Sequence, residues 1–159
     1  MSAFTIFHTV ISLLAIVSGI AVAYGLITGQ RYERSTLAYF ITTIVTLVTG
    51  FMFPYHGFTP AIGVGIPCVL IFIPTVAARY RYRLAGWWRP VFIIGSVVLF
   101  YFNCLVLIAQ SFQKVPLLNA LAPTGGEMIV VVCQSVLLVV FLIVGFLSVR
   151  RFHPAIAAA

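Results

Sequence analysis

Long stretches without any charged residue dominate this sequence and limit the folds that it can adopt. No Asp, Glu, Lys or Arg occurs in residues 1–30, 35–78, 90–113 or 128–149. A helix needs about 20 consecutive apolar residues to cross the hydrocarbon core of a bilayer. Three of these stretches are therefore long enough for one crossing helix each, and residues 35–78 are long enough for two.

The stretch over residues 35–78 is too long to be one crossing helix. At about 1.5 Å per residue it would form a helix of about 66 Å, roughly twice the thickness of the hydrocarbon core. Its middle contains Pro54, Gly57 and Pro60, which interrupt a helix. We therefore predict a helical hairpin here. The five predicted spans lie near residues 4–28, 36–54, 60–78, 90–112 and 127–149.

The composition agrees with a membrane protein and excludes several other classes. Hydrophobic residues make up 63% of the chain and charged residues 7%, whereas a soluble domain has about 25% charged residues. The mean hydropathy is +1.20. A soluble enzyme, a nucleic-acid-binding protein and a disordered chain are thereby excluded. The predicted fold class is all-α: a polytopic bundle of five transmembrane helices that forms a single domain over residues 1–159.

Basic residues predict how this bundle is oriented in the membrane. The segments after the first, third and fifth spans lie on one side of the membrane and contain eight arginines. Lys114, which follows the fourth span, lies on the opposite side. Basic residues are enriched in cytoplasmic loops, so this distribution predicts N-out/C-in. The eight are Arg31, Arg34, Arg79, Arg81, Arg83, Arg89, Arg150 and Arg151.

Polar side chains collect in the half of the membrane that this orientation makes the outer one. His8 continues a row of small residues formed by Ser12, Ala15 and Gly19, and this row predicts that His8 faces other helices. Polar groups inside a membrane are expensive and often functional, so we predict a polar pocket near the outer surface. Its candidate ligand-binding residues are His8, His56, Asn103, Gln110 and Gln134, and Glu127 would supply charge or a proton.

Three kinds of ligand are consistent with this set of side chains. Heme b would take His8 and His56 as axial ligands. Copper or another metal would take His8, His56 and Glu127, with Met52 as a soft thioether ligand. A quinone would use histidine or amide donors and would place its tail between the helices. The sequence does not choose among the three.

Two other functions remain open at the level of sequence. The first is transport of a small solute or ion by a homo-oligomer, and the second is a structural accessory subunit of a larger membrane complex. The chain has no motif typical of an enzyme, so no catalytic residue is predicted and enzyme activity is not favoured. The predicted partners are the lipid bilayer and further membrane subunits, and no nucleic acid.

Several motifs resemble a group of small bacterial inner-membrane proteins to which no activity is assigned. They are Phe-His-Thr-Val-Ile-Ser at 7–12, Thr-Gly-Phe-Met-Phe-Pro-Tyr-His-Gly-Phe-Thr-Pro-Ala at 49–61, Phe-Gln-Lys-Val-Pro at 112–116 and Ala-Leu-Ala-Pro-Thr at 120–124. The resemblance implies a bacterial plasma membrane and an all-helical fold of about five spans. At the level of fold, the first span also resembles heme-binding membrane proteins in which a histidine opens a glycine-containing helix.

Overall fold

The computed structural model describes residues 3–53 and 60–153, and every regular element in this part of the chain is a helix. The helices are α1 (Ala3–Thr28), α2 (Glu33–Phe51), α3 (Pro60–Tyr80), α4 (Trp88–Lys114), α5 (Pro116–Leu121) and α6 (Met128–Arg151). All except α5 are long and apolar enough to cross a membrane. The prediction of an all-α fold with five candidate spans is thus confirmed, and the chain is a multi-pass membrane protein.

The long helices pack as an antiparallel bundle in which α4 contacts α1, α3 and α6. The end of the bundle where α1, α3 and α6 finish holds all eight arginines, and we call it the arginine end. There Arg89 Nη1 donates hydrogen bonds to the carbonyl oxygens of Val149 at 3.1 Å and Phe152 at 2.7 Å. The predicted separation of charge is therefore present, whereas the side of the membrane that each end faces stays a prediction.

The opposite end of the bundle, which we call the histidine end, contains the start of α1, the end of α2 and the connection from α4 to α6. Phe4 and Phe53 pack edge to face there, with ring centroids 4.9 Å apart. The predicted outer loop contains the short helix α5, which begins at Pro116, a favoured residue for the first helical position. Leu118 of α5 is half-buried against Phe112 and Val130, so α5 packs onto the bundle.

Local sequence explains where the helices stop. Gly29 has φ +73° after the end of α1, and Gln30 donates its backbone N–H to the carbonyl of Gly25 at 2.8 Å. This is the Schellman arrangement, in which a left-handed glycine closes a helix C-terminus. The predicted hairpin is also confirmed, because α2 ends at Phe51 and α3 begins at Pro60.

Two glycines allow the helices to approach closely near the middle of the bundle. A Cβ on Gly95 of α4 would lie 1.9 Å from Thr75 Oγ1 of α3, and a Cβ on Gly19 of α1 would lie 2.7 Å from the Phe100 ring of α4. Small residues commonly provide such contacts between membrane helices. In this region α4 therefore packs closely against both α1 and α3.

The burial of residues in α1 and α4 decreases toward the histidine end. Seven residues of α4 between Phe92 and Phe100 are buried, but none of residues 101–111 is. On α1, Ala15 is the first buried residue, and none of residues 3–14 is fully buried. In α1 and α4, the half that contains the predicted polar pocket is thus less buried than the arginine half.

Candidate functional site

His8 lies on the face of α1 that packs against other helices, as its spacing from Ala15 and Gly19 predicts. Ala15 and Gly19 are buried, and His8 itself is half-buried. Its Nδ1 atom lies 2.7 Å from Oγ1 of Thr49 near the end of α2. The histidine end therefore has a side-chain contact that joins its first two helices.

The hydrogen bonds of Thr49 bear on which nitrogen of His8 holds the proton. A threonine hydroxyl has one proton, and Thr49 donates it to the carbonyl of Val45 in the preceding turn, at 2.7 Å. The tautomer of His8 sets the direction of this bond; with Nδ1 protonated, the Thr49 oxygen accepts it from Nδ1–H of His8. In the neutral imidazole this leaves the lone pair on Nε2. With this tautomer, His8 presents Nε2 as an unprotonated nitrogen, the form in which histidine binds a metal.

The His8 ring is also held in place by its apolar neighbours. It packs edge to face on Phe53, with ring centroids 5.1 Å apart. A Cβ on Gly50 would lie 3.6 Å from His8 Cε1, so Gly50 leaves room beside the ring. Thr49, Gly50 and Phe53 all belong to the end of α2 or directly follow it, and together they fix the orientation of the imidazole.

Gln110 and Glu127 contribute two buried acceptor oxygens at the histidine end. Within residues 3–53 and 60–153, neither Gln110 Oε1 nor Glu127 Oε2 has a hydrogen-bond partner. A buried amide oxygen such as Gln110 Oε1 costs about 1–3 kcal/mol without a partner. Both oxygens would therefore be stabilised by a donor group, a water molecule or a cation.

The second oxygen of Glu127 has two donors from a single residue. Oε1 accepts hydrogen bonds from the backbone N–H and the hydroxyl of Thr124, each at 2.8 Å. The backbone N–H of Thr124 is the main reason that the pKa of the Glu127 carboxyl lies below its ordinary value, although desolvation opposes this shift. Glu127 is therefore an anion at neutral pH. It precedes the first turn of α6, where a negative charge is favourable.

The other predicted residues differ in their burial and in their contacts. Asn103 donates to the Leu99 carbonyl of its own helix at 3.3 Å and is half-buried, and Gln134 is half-buried on α6. Met52 is 65% exposed at the end of α2. His56 lies outside the described residues, so its predicted role as a ligand stays a prediction.

The structure brings His8, Met52, Gln110 and Glu127 to the same end of the bundle, with Asn103 and Gln134 deeper. No hydrogen bond joins any two of the predicted residues within the described ranges. In those ranges, no three His, Cys, Asp or Glu side chains form a group that could hold a metal ion. The predicted metal set of His8, His56, Glu127 and Met52 includes a residue outside the described ranges, so it also stays a prediction.

Sequence reasoning missed two features. The first is the bond from His8 to Thr49, although helical spacing places Thr49 on an inward-facing row of threonines. The second is a small cavity of about 10 Å³ at the arginine end, enough for about one water molecule, beside Arg31 and Arg79. Its one signal in the sequence is Glu33, the sole carboxylate among the predicted inner segments, which forms an ion pair with Arg79.

Comparison with protein-family models, with curated proteins and with solved structures finds no match for this chain. The functional interpretation of the chain therefore rests on its fold and on its side-chain geometry.

Proposed function

We propose that this chain is a heme-binding membrane protein and that Nε2 of His8 is an axial ligand of the heme iron. The observation that carries the proposal is the 2.7 Å contact between His8 Nδ1 and Thr49 Oγ1, because donation from Nδ1–H across it leaves Nε2 as the nitrogen with the lone pair. Metal-binding histidines commonly donate their other ring N–H to a fixed acceptor, which sets the tautomer and the ring orientation.

Heme suits this site better than the other two ligands expected from the sequence. The porphyrin supplies the equatorial ligands of its iron, so one imidazole with an available lone pair suffices as the protein ligand. Copper would need several protein ligands around one point. A quinone carbonyl needs a donor, and Nε2 of His8 is an acceptor in this tautomer.

Other polar groups at the histidine end support the binding of a polar cofactor. Gln110 and Asn103 have amide groups that can donate to heme propionates, and His8 is only partly buried. The proposal places the site on the outer side of a bacterial inner membrane, since the arginines favour a cytoplasmic position for the other end. A redox role within a larger membrane complex would be consistent with such a site.

The test is an absorption spectrum of the detergent-purified protein, with metal analysis on the same sample. The proposal predicts a Soret band and about one iron per chain, and His8→Ala should remove both. His153→Ala is the matched control, because His153 is exposed at the arginine end, after α6. His56→Ala then distinguishes ligation by two histidines from ligation by one.

A second pair of variants tests the role of Thr49. Thr49→Val keeps the shape of the side chain but removes the acceptor for Nδ1–H, and loss of such a partner weakens metal binding by about 10–100-fold. Thr42→Val is the control, because Thr42 is on the same helix and donates to its own helix at Ala38. A wild-type protein without colour or metal after heme is supplied, or a His8→Ala protein with the full Soret band, would overturn the proposal.

A further inference from the structure

The arginine end contains a cleft that no part of the proposed heme site uses. Its floor is apolar and includes Leu26 of α1, Phe92 of α4 and Phe152, which directly follows α6. Its rim is polar and includes Arg31 from the α1–α2 turn and Arg79 from α3. Side chains from all five long helices or their ends therefore meet at this position.

The rim has an excess of positive charge. Arg79 forms an ion pair with Glu33 and lies over the Phe92 ring, with its guanidinium carbon 5.7 Å from the ring centroid. Its side chain is 9% exposed, whereas that of Glu33 is 60% exposed. Arg31 and Arg34 flank Glu33 in the sequence, so basic side chains outnumber acidic side chains here among the residues that the structure describes.

The end of α6 packs against the turn that contains Arg31. A Cβ on Gly29 would lie 3.0 Å from the carbonyl oxygen of Arg151, so the α1–α2 turn and the end of α6 are in direct contact. Gly29 adopts a left-handed φ, and the resulting turn brings the chain close to the end of α6. The α1–α2 turn, α3 and the end of α6 thus meet at one small cleft, and Arg31 and Arg79 are the basic residues that line it.

The position of the cleft matches the depth of lipid headgroups. It lies at the ends of membrane-spanning helices, on the same end as Tyr80, Tyr82 and Trp87, which are exposed, Trp87 by 86%. Exposed tyrosine and tryptophan at helix ends are typical of the membrane–water interface. Basic clefts between helices at this depth suit the phosphate group of an anionic lipid.

We propose that this arginine-end cleft binds the headgroup of an anionic phospholipid. The phosphate sits at the rim beside Arg31 and Arg79, and the enclosed volume of about 10 Å³ holds at most one water molecule or one phosphate oxygen below it. Glu33 competes with the phosphate for Arg79. The proposal does not depend on the heme site, which lies at the other end of the bundle.

The test compares lipid binding by the full chain in phosphatidylcholine nanodiscs with and without phosphatidylglycerol, with retained lipid measured by mass spectrometry. The proposal predicts enrichment of phosphatidylglycerol. Arg31→Gln should weaken its binding by about fivefold, as expected for about 1 kcal/mol per basic residue near the surface. Arg83→Gln removes the same charge at the same end but does not line the cleft, so its effect should be clearly smaller.

Glu33→Gln provides a variant with the opposite expected sign. It removes the competing carboxylate from an exposed position and should strengthen phosphatidylglycerol binding severalfold, which a destabilised fold would not do. Equal losses in Arg31→Gln and Arg83→Gln would show a general surface charge effect and overturn the cleft. Displacement of the lipid by inorganic phosphate alone would show a site for free anions and would overturn the lipid assignment.

Discussion

Replacing Gly95 by alanine should destabilise the bundle strongly, although it adds only one methyl group. The added Cβ would lie 1.9 Å from Thr75 Oγ1, about 1.5 Å closer than van der Waals contact allows. Thr75 has no exposed surface, and its hydroxyl donates to the Ile71 carbonyl at 2.6 Å. Neither a shift nor a rotation of Thr75 is therefore free of cost.

The expected magnitude combines three contributions. Overpacking at a fully buried contact costs about 3 kcal/mol, at the upper end of its usual range. Rotating Thr75 away from Ile71 costs about 1 kcal/mol for the lost hydrogen bond. The higher helix propensity of alanine returns about 1 kcal/mol. The free energy of unfolding should therefore fall by about 3 kcal/mol.

The assay is unfolding of the purified protein by sodium dodecyl sulfate in mixed micelles, followed by circular dichroism. Gly145→Ala is the matched control, because its Cβ would meet Val97 Cγ1 at an ordinary 3.7 Å. We expect it to be neutral or slightly stabilising. Adding Thr75→Ala to Gly95→Ala should restore most of the loss, since only the 3.0 Å contact with the Thr75 Cβ remains. Equal stability of Gly95→Ala and wild type would refute this reasoning.

Three further changes have expected outcomes. Arg89→Gln removes two hydrogen bonds to carbonyls at the end of α6, so the free energy of unfolding should fall by about 2–3 kcal/mol and amide exchange there should accelerate. Gly50→Leu should crowd the His8 ring and lower heme affinity by about tenfold or more, whereas Gly50→Ala, at an ordinary 3.6 Å contact, should not. The pKa of Glu127 is lowered in the folded state, so its stabilisation is complete above the ordinary value of 4.5 and is lost as the pH falls through the folded value. Glu127→Gln should remove that part of the acid sensitivity in a stability–pH profile, and an unchanged profile would contradict the assignment.

The helices can be predicted from the sequence because charge-free stretches report span length directly. Their ends are less predictable, because a charged residue can belong to a helix. Charge-free length places the start of the second span near residue 36, but α2 begins at Glu33, whose carboxylate is favourable at a helix N-terminus and pairs with Arg79. Similarly, α4 extends over Arg89 and Lys114, which lie outside the predicted fourth span.

The inward position of His8 is also predictable, because helical spacing places it on the face of Ala15 and Gly19. Its tautomer is not, since that depends on the rotamer of Thr49 and on the alignment of α1 with α2. The arginine-end cleft escapes sequence reasoning because its walls come from segments far apart in the chain. The membrane side of each end, the oligomeric state and the cofactor stay predictions.

The central claim is that His8 has its proton on Nδ1 and binds iron through Nε2. Nitrogen NMR of the heme-free protein labelled with ¹⁵N-histidine tests it most directly, because the chain has three histidines and His8→Ala assigns the signals. We predict a protonated Nδ1 and an unprotonated Nε2 for His8, with the Nε2 signal alone losing its free-imidazole shift when diamagnetic zinc protoporphyrin is added. A His8 that has its proton on Nε2, or an Nε2 signal that the porphyrin leaves unchanged, would contradict the account.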